Sequence, residues 1–303
     1  MRIVSWNVNG LRAVMSRGDL AWAFGDVDVL CLQETKLQGE QLTDALRAPA
    51  PGYVSFWSFH ETKKGYSGTS IFCRAQLSPE PFSLRIGGPD APDFDREGRV
   101  TGVRLQSSAG PLVVLSVYFP NGGSSDERLA FKHAWHDAFT EAVVALAQTG
   151  TMVIVAGDFN VAHTDLDLAL PQQWAGVSGC LPVERAWFDR LVGHGFTDTF
   201  RAEKGDLPRQ FTFWETRVDA RSINQGWRID YVVVSAGLED ALLDAWISPQ
   251  IFGSDHCPVG CELDVHVASA DTATGELSDT DGELVDDQLD EDEDDDGASR
   301  WRR

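Results

Sequence analysis

Ten short apolar runs divide the first 267 residues: 2–8, 27–33, 53–59, 69–74, 100–105, 112–119, 151–157, 211–214, 229–235 and 257–265. Several are rich in Val and Ile, and their lengths suit strands rather than helices. Two stretches carry a helical period instead. In 125–148, Leu129, Phe131, Trp135, Ala138, Phe139, Ala142, Val143 and Leu146 share one face, and Ser124 with Glu127 forms a capping box ahead of it. In 182–194, Trp187, Phe188, Leu191 and Val192 fall on one side. Many strands with few helices predict two packed sheets flanked by helices, an α/β fold. No internal repeat is visible in the sequence.

Composition changes this picture only at the end of the chain. The 303 residues are 43% hydrophobic and 24% charged, ordinary for a globular protein. No apolar run approaches the roughly 18 residues of a membrane span, and the N-terminus shows no signal peptide, so a soluble, cytoplasmic protein is expected. Five cysteines, an odd number without CxxC spacing, predict buried reduced thiols rather than disulfides or a zinc site. Residues 268–303 carry 14 acids against three arginines, including an unbroken acidic run from Asp290 to Asp296. Such a segment lacks the apolar surface to offset its ordering entropy and is expected to be a disordered tail. The remaining domain, 1–267, still holds 33 acids and 22 basic residues, a formal charge of −11. That charge opposes nucleic-acid binding unless basic groups cluster locally, with Lys36, Lys63, Lys64, Arg217, Arg221 and Arg228 as candidates.

Four polar clusters adjoin the apolar runs: Ser5-Trp6-Asn7-Val8-Asn9-Gly10, Leu32-Gln33-Glu34-Thr35, Gly157-Asp158-Phe159-Asn160 and Gly253-Ser254-Asp255-His256. Strand ends would deliver these side chains to a common edge. Carboxylates, amides and a histidine converging there suit a hard, oxygen-liganded cation and an activated water, the chemistry of phosphate-ester hydrolysis. Singly, the Ser5 and Gly157 clusters also read as strands running into turns, and a lone His256 as a hydrogen-bonded structural histidine. Glu34 is less easily dismissed, because a carboxylate ending a buried run needs a partner or a metal.

With these motifs in place, the chain resembles the endonuclease/exonuclease/phosphatase superfamily, and within it the exonuclease III type of abasic-site endonuclease. The resemblance runs from Met1 to about Val267. It is carried by Ser5 to Arg12, Gln33-Glu34-Thr35-Lys36, Gly65 to Thr69, Tyr118-Phe119-Pro120-Asn121, Gly157 to Asn160 and Thr164 to Asp167. Phe211-Thr212-Phe213-Trp214, Gly226 to Tyr231 and Gly253 to Val259 complete it, and the first two of these point to the DNA-repair branch. The resemblance implies a four-layer sandwich of two mixed sheets between helices, deoxyribonuclease-like, with the active site at one end of the sheets. It also implies Mg²⁺, with Mn²⁺ as substitute, and as partner double-stranded DNA with abasic sites or damaged 3′ ends.

The resemblance assigns roles residue by residue. Glu34 is the principal metal ligand, with Asn9, Asp158, Asn160, Asp255 and His256 around the same shell. Asn9 is aspartate in some relatives. Asp158 orients or deprotonates the attacking water, Asn160 binds phosphate, His256 stabilises developing charge, and Asp230 orients the imidazole. Tyr118 donates to phosphate, although a core tyrosine is the competing reading. Asn7 and Asn121 position Glu34 or the phosphate. Phe213, Trp227 and Ile229 form an apolar pocket for a flipped-out sugar, whereas without the motif the three aromatic and aliphatic side chains read as core. Arg217 stands where some relatives carry an apolar wedge, and Ser124 where some carry an inserting basic residue; Arg217 either inserts into DNA or contacts phosphate. The expected activity is hydrolysis 5′ to abasic sites with 3′-5′ exonuclease or 3′-end cleaning, by a monomer. Two rivals remain: a phosphatase of small phosphate esters, and an inactive nucleic-acid-binding relative.

Overall fold

The computed structural model describes residues 1–88 and 93–267. The expected tail at 268–303, and hence the boundary at 267, lies outside the described residues. Twelve strands form the scaffold: β1 (Arg2–Asn7), β2 (Val29–Gln33), β3 (Tyr53–Ser58), β4 (Thr69–Arg74), β5 (Glu80–Phe82) and β6 (Val100–Ser107), then β7 (Gly110–Tyr118), β8 (Met152–Asp158), β9 (Phe196–Asp198), β10 (Asp230–Ser235), β11 (Leu242–Ile247) and β12 (Val259–Leu263). Six α-helices accompany them: α1 (Leu11–Ser16), α2 (Asp44–Arg47), α3 (Asp126–Gln148), α4 (Pro171–Trp174), α5 (Pro182–Gly193) and α6 (Thr199–Lys204).

The strands make two six-stranded sheets, in the orders β11-β12-β1-β2-β4-β3 and β5-β6-β7-β8-β10-β9. Each has a parallel pair at its centre, β1 with β2 and β7 with β8, and antiparallel neighbours on both sides. Counted cyclically from β11 and from β5, both sheets follow the same connectivity. This repeat is absent from the sequence because it resides in pairing order, which many apolar sequences satisfy.

Burial explains the layers. Ile3, Val29, Cys31 and Ile71 of one sheet meet Val103, Leu112, Val114, Ile154 and Val232 of the other in a dry inter-sheet core. The outer face of the second sheet packs Val113, Val153, Val155 and Val233 against Trp135, Phe139, Trp187 and Phe188 of α3 and α5. The outer face of the first packs Val4, Trp6, Leu30 and Phe72 around Leu11 and Val14 of α1. Central strands are thus buried on both faces and read as continuous apolar runs. The fold is the four-layer α/β sandwich expected from the sequence.

Differences cluster at edges and ends. β5, β9 and β11 were not foreseen; β5 and β9 are three residues long, and all three are edge strands. Residues 211–214 form no strand. Thr212 and Phe213 instead both donate to the Trp227 carbonyl at 2.8 and 2.9 Å, and Phe213 bridges only singly to Trp227 and His256. The cap of α3 is Ser125 rather than Ser124, accepting from Arg128 N at 3.2 Å. On α5, Val192 is 40% exposed, outside the buried stripe of Trp187, Phe188 and Leu191. The five cysteines are free and buried, as expected.

Candidate active site

The site lies where the carboxyl ends of the two parallel pairs meet, the edge at which open α/β sheets place their ligands. β1 ends on Asn7 and β2 runs into Glu34; β7 ends on Tyr118 and β8 on Asp158. Asn9, Glu34 and Asn160, just past three of these ends, all take left-handed backbone conformations with φ of 45°, 49° and 53°. Asparagine tolerates this region; glutamate does so at a cost, and such strain concentrates at functional sites. These turns stop the strands abruptly and leave the polar side chains at the rim.

Asn7 is fully buried and joins the two sheets. Its Nδ2 donates to Glu34 Oε1 at 3.0 Å and to Asp158 Oδ2 at 2.9 Å, and its Oδ1 accepts from Asn9 N at 3.0 Å. Asp158 Oδ1 accepts from Asn160 N at 2.9 Å. Asn160 Nδ2 donates to the Phe119 carbonyl at 2.9 Å, and Asn121 Nδ2 donates to Asn160 Oδ1 at 3.2 Å. On the facing strand β10, Asp230 Oδ2 lies 2.7 Å from His256 Nδ1 and accepts from Thr212 Oγ1 at 2.6 Å. His256 Nε2 points towards Asp158 Oδ2, 3.9 Å away. Asp255, beside it, accepts at Oδ1 from Asn9 Nδ2 at 3.0 Å.

A cleft of about 290 Å³ opens onto these groups. Glu34, Tyr118, Asn121, Asp158, Asn160, Phe213, Trp227, Ile229, Asp255 and His256 line it, ten of the fourteen residues singled out from the sequence. Asn7 and Asp230 lie buried behind its floor, and Asn9 sits exposed at its rim through Asp255. Arg217 is not in the cleft; it is exposed on a 3-10 turn at Thr216–Val218. Phe213 and Trp227 are half-buried at the cleft rather than sealed in core, with Trp227 edge-on to Trp174 at 5.1 Å. Gly179 has φ of 97°, and a Cβ there would stand 3.1 Å from the Trp227 ring, so this wall needs glycine.

Electrostatics within the site are unbalanced. Burial, followed by the charge of Asp230, pushes Asp158 up to about 7 despite the opposing influence of His256 and the Asn7 hydrogen bond. Burial alone would lower His256, but the charge and hydrogen bond of Asp230 outweigh it and raise the imidazole to about 10. Burial and the nearby Glu34 keep the Tyr118 phenol protonated far above neutral pH. The cleft therefore offers a base titrating near neutrality beside two proton donors.

The donor set fits a hard divalent cation. Asp158, Asp230 and His256 offer ligand atoms within 4.8 Å of one another, and Asp230 Oδ1 is buried without a protein partner. A second oxygen cluster, Glu34 and Asn9, is bridged by the Lys36 ammonium, which lies 3.0 Å from Glu34 Oε2 and bonds Asn9 Oδ1. A cation already stands among those oxygens, so the cluster accommodates positive charge.

Four of the six candidate patch residues are engaged with protein groups, while Lys63 lies 3.9 Å from the Tyr66 ring centroid and Arg217 is exposed. Arg228 is buried between Asp167 and Asp198, Arg221 bonds three backbone carbonyls, Lys36 pairs with Glu34, and Lys64 pairs with Glu40. Sequence spacing cannot reveal such pairings, because the partners lie up to 61 residues away. Two contributors were missed. Thr212 fixes Asp230 from within a motif read only for its aromatics, and Arg99 donates to the Tyr118 carbonyl at 2.9 Å while stacking 4.7 Å from its ring.

Comparison with known proteins agrees with this geometry. The Endonuclease/Exonuclease/phosphatase family model matches residues 4–256. An exodeoxyribonuclease of Bacillus subtilis is 39% identical over 261 residues, covering 86% of this chain and 98% of the relative. The DNA repair nuclease APEX1 of Danio rerio is 36% identical over 86% of this chain and 81% of its own length. Among solved structures, the Xenopus laevis APE2 catalytic domain superposes with a TM-score of 0.78 at 30% identity, covering 89% of this chain and 94% of that one. The 3′ phosphatase NExo from Neisseria, bound to a product DNA hairpin, superposes at 0.74 with 30% identity, covering 87% of this chain and 99% of that one. Matched over most of its length by sequence and by fold, the chain belongs to the endonuclease/exonuclease/phosphatase family.

Proposed function

We propose that this chain is a divalent-metal-dependent DNA-repair phosphodiesterase that hydrolyses the backbone 5′ to abasic sites and cleans blocked 3′ ends, using Mg²⁺ or, in its place, Mn²⁺. The observation that carries the reading is the single cleft in which Asp158, held by Asn7 and Asn160, faces the His256–Asp230 pair across 3.9 Å. In this reading Asp158 accepts the proton of a water attacking phosphorus. A base titrating near 7 is well matched to that task at neutral pH. Charge accumulating on the non-bridging oxygens is met by His256, Tyr118, Asn121 and Asn160, all of which line the cleft. Glu34, Asn9 and Asp255, with Asp158, Asn160 and His256 adjoining, would hold the cation, which supplies Lewis-acid charge when bound. Asn7 and Asp230 position Glu34, Asp158 and His256.

Phe213, Trp227 and Ile229 give one end of the cleft an apolar wall. A sugar lacking its base fits such a wall, and extrusion is cheapest where stacking is already lost. In this reading the exposed Arg217 contacts DNA beyond the cleft. The B. subtilis and zebrafish relatives, a named exodeoxyribonuclease and a named DNA repair nuclease, support a DNA substrate. A monomer working in the cytoplasm completes the reading; among the described residues no helix is long and apolar enough to cross a membrane.

A duplex carrying one abasic-site analogue tests this directly. With Mg²⁺ the strand should be incised 5′ to the analogue, EDTA should abolish incision, and an intact duplex should resist it. Incision unaffected by EDTA would remove the metal from the reading. Hydrolysis of small phosphate esters with no attack on DNA would replace the substrate class.

A further inference from the structure

The segment joining β11 to β12 carries Ser254, Asp255 and His256, yet little of it is held by regular backbone pairing. Ser248 N donates to the Pro258 carbonyl at 2.9 Å and Ile251 N to the Ser248 carbonyl at 3.1 Å. Beneath the outer part of the segment lies a cavity of about 680 Å³ lined by Phe211, Trp214, Ile247 and Phe252. Ile251 packs on the core around Trp6, but the cavity leaves Phe252 66% exposed. Side-chain bonds to the segment's carbonyls supplement this packing, most of them from Arg221. Arg221 Nη1 donates to the Ser254 carbonyl at 3.0 Å, and Nη2 donates to the carbonyls of Pro249 at 2.9 Å and Ile251 at 2.6 Å. Its guanidinium lies 4.6 Å from the Trp214 ring and 4.5 Å from the Phe252 ring.

We propose that Arg221 is a positioning residue for the reaction: by clamping residues 249–254 it sets the placement of Asp255 and His256 in the cleft. The inference rests on the reading of that cleft as a phosphodiesterase site. The mechanical path is short. Ser254, whose carbonyl Arg221 holds, anchors through its own Oγ on the Asn7 carbonyl at 2.8 Å, and Trp214 N donates to the Asp255 carbonyl at 3.0 Å. On the far side Arg17 Nη2 donates to the Gly253 carbonyl at 2.7 Å, so the segment is strapped from two directions. Arginine suits the site because one planar guanidinium donates in its plane to three spread carbonyls while lying near two aromatic rings; a lysine ammonium, a compact point charge, cannot span the same set. Arg221 also lies in the same segment as Arg217, 216–225, which links the catalytic loop to the turn that carries Arg217. Displacements of about 1 Å in a positioned group cost on the order of 10²-fold in rate.

The test compares wild type with Arg221→Lys, Arg221→Ala and Phe252→Ala on the abasic duplex. Arg221→Lys should lower kcat by about 10- to 100-fold with KM within about threefold, the pattern of lost alignment rather than lost binding. Phe252 is 66% exposed, so Phe252→Ala should fold normally and lower kcat in the same direction by a smaller factor. Methylguanidine in the millimolar range should restore part of the kcat of Arg221→Ala, because the adjoining cavity admits it. Normal kcat in Arg221→Lys, or a raised KM with unchanged kcat, overturns the inference in favour of a direct phosphate contact or no role. Absence of cleavage by wild type overturns the underlying substrate reading instead, and so keeps the two failures apart.

Discussion

Two buried charge clusters lie two residues apart on the same segment, and they behave in opposite ways. Arg228 donates to Asp167 Oδ1 and Asp198 Oδ2, both at 2.7 Å, and Arg201 adds a second donor to Asp167 at 2.6 Å. Two cations meet two carboxylates. Although burial opposes it, the Arg228 charge and hydrogen bonds hold Asp167 down to about 2. Asp230, next on the chain but one, joins Asp158 and His256, where two carboxylates share one imidazole and Asp158 is pushed up to about 7. Equal burial gives opposite shifts because one cluster is neutralised and the other is not. The neutral cluster fixes the backbone that presents Trp227 and Asp230; the unbalanced one is poised for proton transfer.

Breaking the unbalanced cluster should have the largest effect, and on rate rather than on DNA affinity. Asp158→Asn and His256→Ala should each lower kcat by at least about 10²-fold while gel-shift affinity for DNA survives, since each removes a positioned acid–base group or charge stabiliser. Near-normal cleavage by Asp158→Asn would sink the proposed mechanism.

Breaking the balanced cluster should act on stability. Arg228→Met leaves the buried Asp198 without its cation and Asp167 with Arg201 alone, and should cost about 3–5 kcal/mol in a denaturant titration. If the variant instead keeps its stability and loses only turnover, the distinction between the clusters fails.

A third measurement sharpens the comparison through pH. In the metal-free protein the folded Asp158 binds its proton more tightly than an unfolded aspartate, so its contribution opposes folding as pH rises from about 4 to about 7 and levels off above. Wild type should therefore lose melting temperature relative to Asp158→Asn across that window, by several degrees, about 2–4 °C per kcal/mol at this size. His256 runs oppositely: its raised value stabilises fully below about 6.5, and that contribution fades as pH rises towards about 10. A melting difference independent of pH between 4 and 7 would contradict the shift assigned to Asp158.

The smallest effect should come from the wall both clusters support. Trp227→Ala should narrow the rate ratio between abasic and intact duplex while costing less than the roughly 3–5 kcal/mol of a fully buried tryptophan, because Trp227 is only half-buried. A large drop in melting temperature with unchanged discrimination would make it a core residue.

By itself, the sequence determined the layers and much of the cleft. Short, β-branched apolar runs such as Val153 to Ala156 suit strands covered on both faces, and polar residues at the ends of such strands gather at an edge. Asn7, Glu34, Asp158 and His256 were legible for that reason. Tertiary structure alone decided the edge strands β5 and β9, too short to carry a pattern, the edge strand β11, whose residues are mostly only partly buried, and the conversion of 211–214 from strand to loop. It also decided the fate of the basic residues. Arg221 and Arg228 look in sequence like charges available to DNA; folding spends one on three carbonyls and the other on two carboxylates. Which partner a charge meets depends on distances between segments far apart along the chain, and no local pattern encodes those distances.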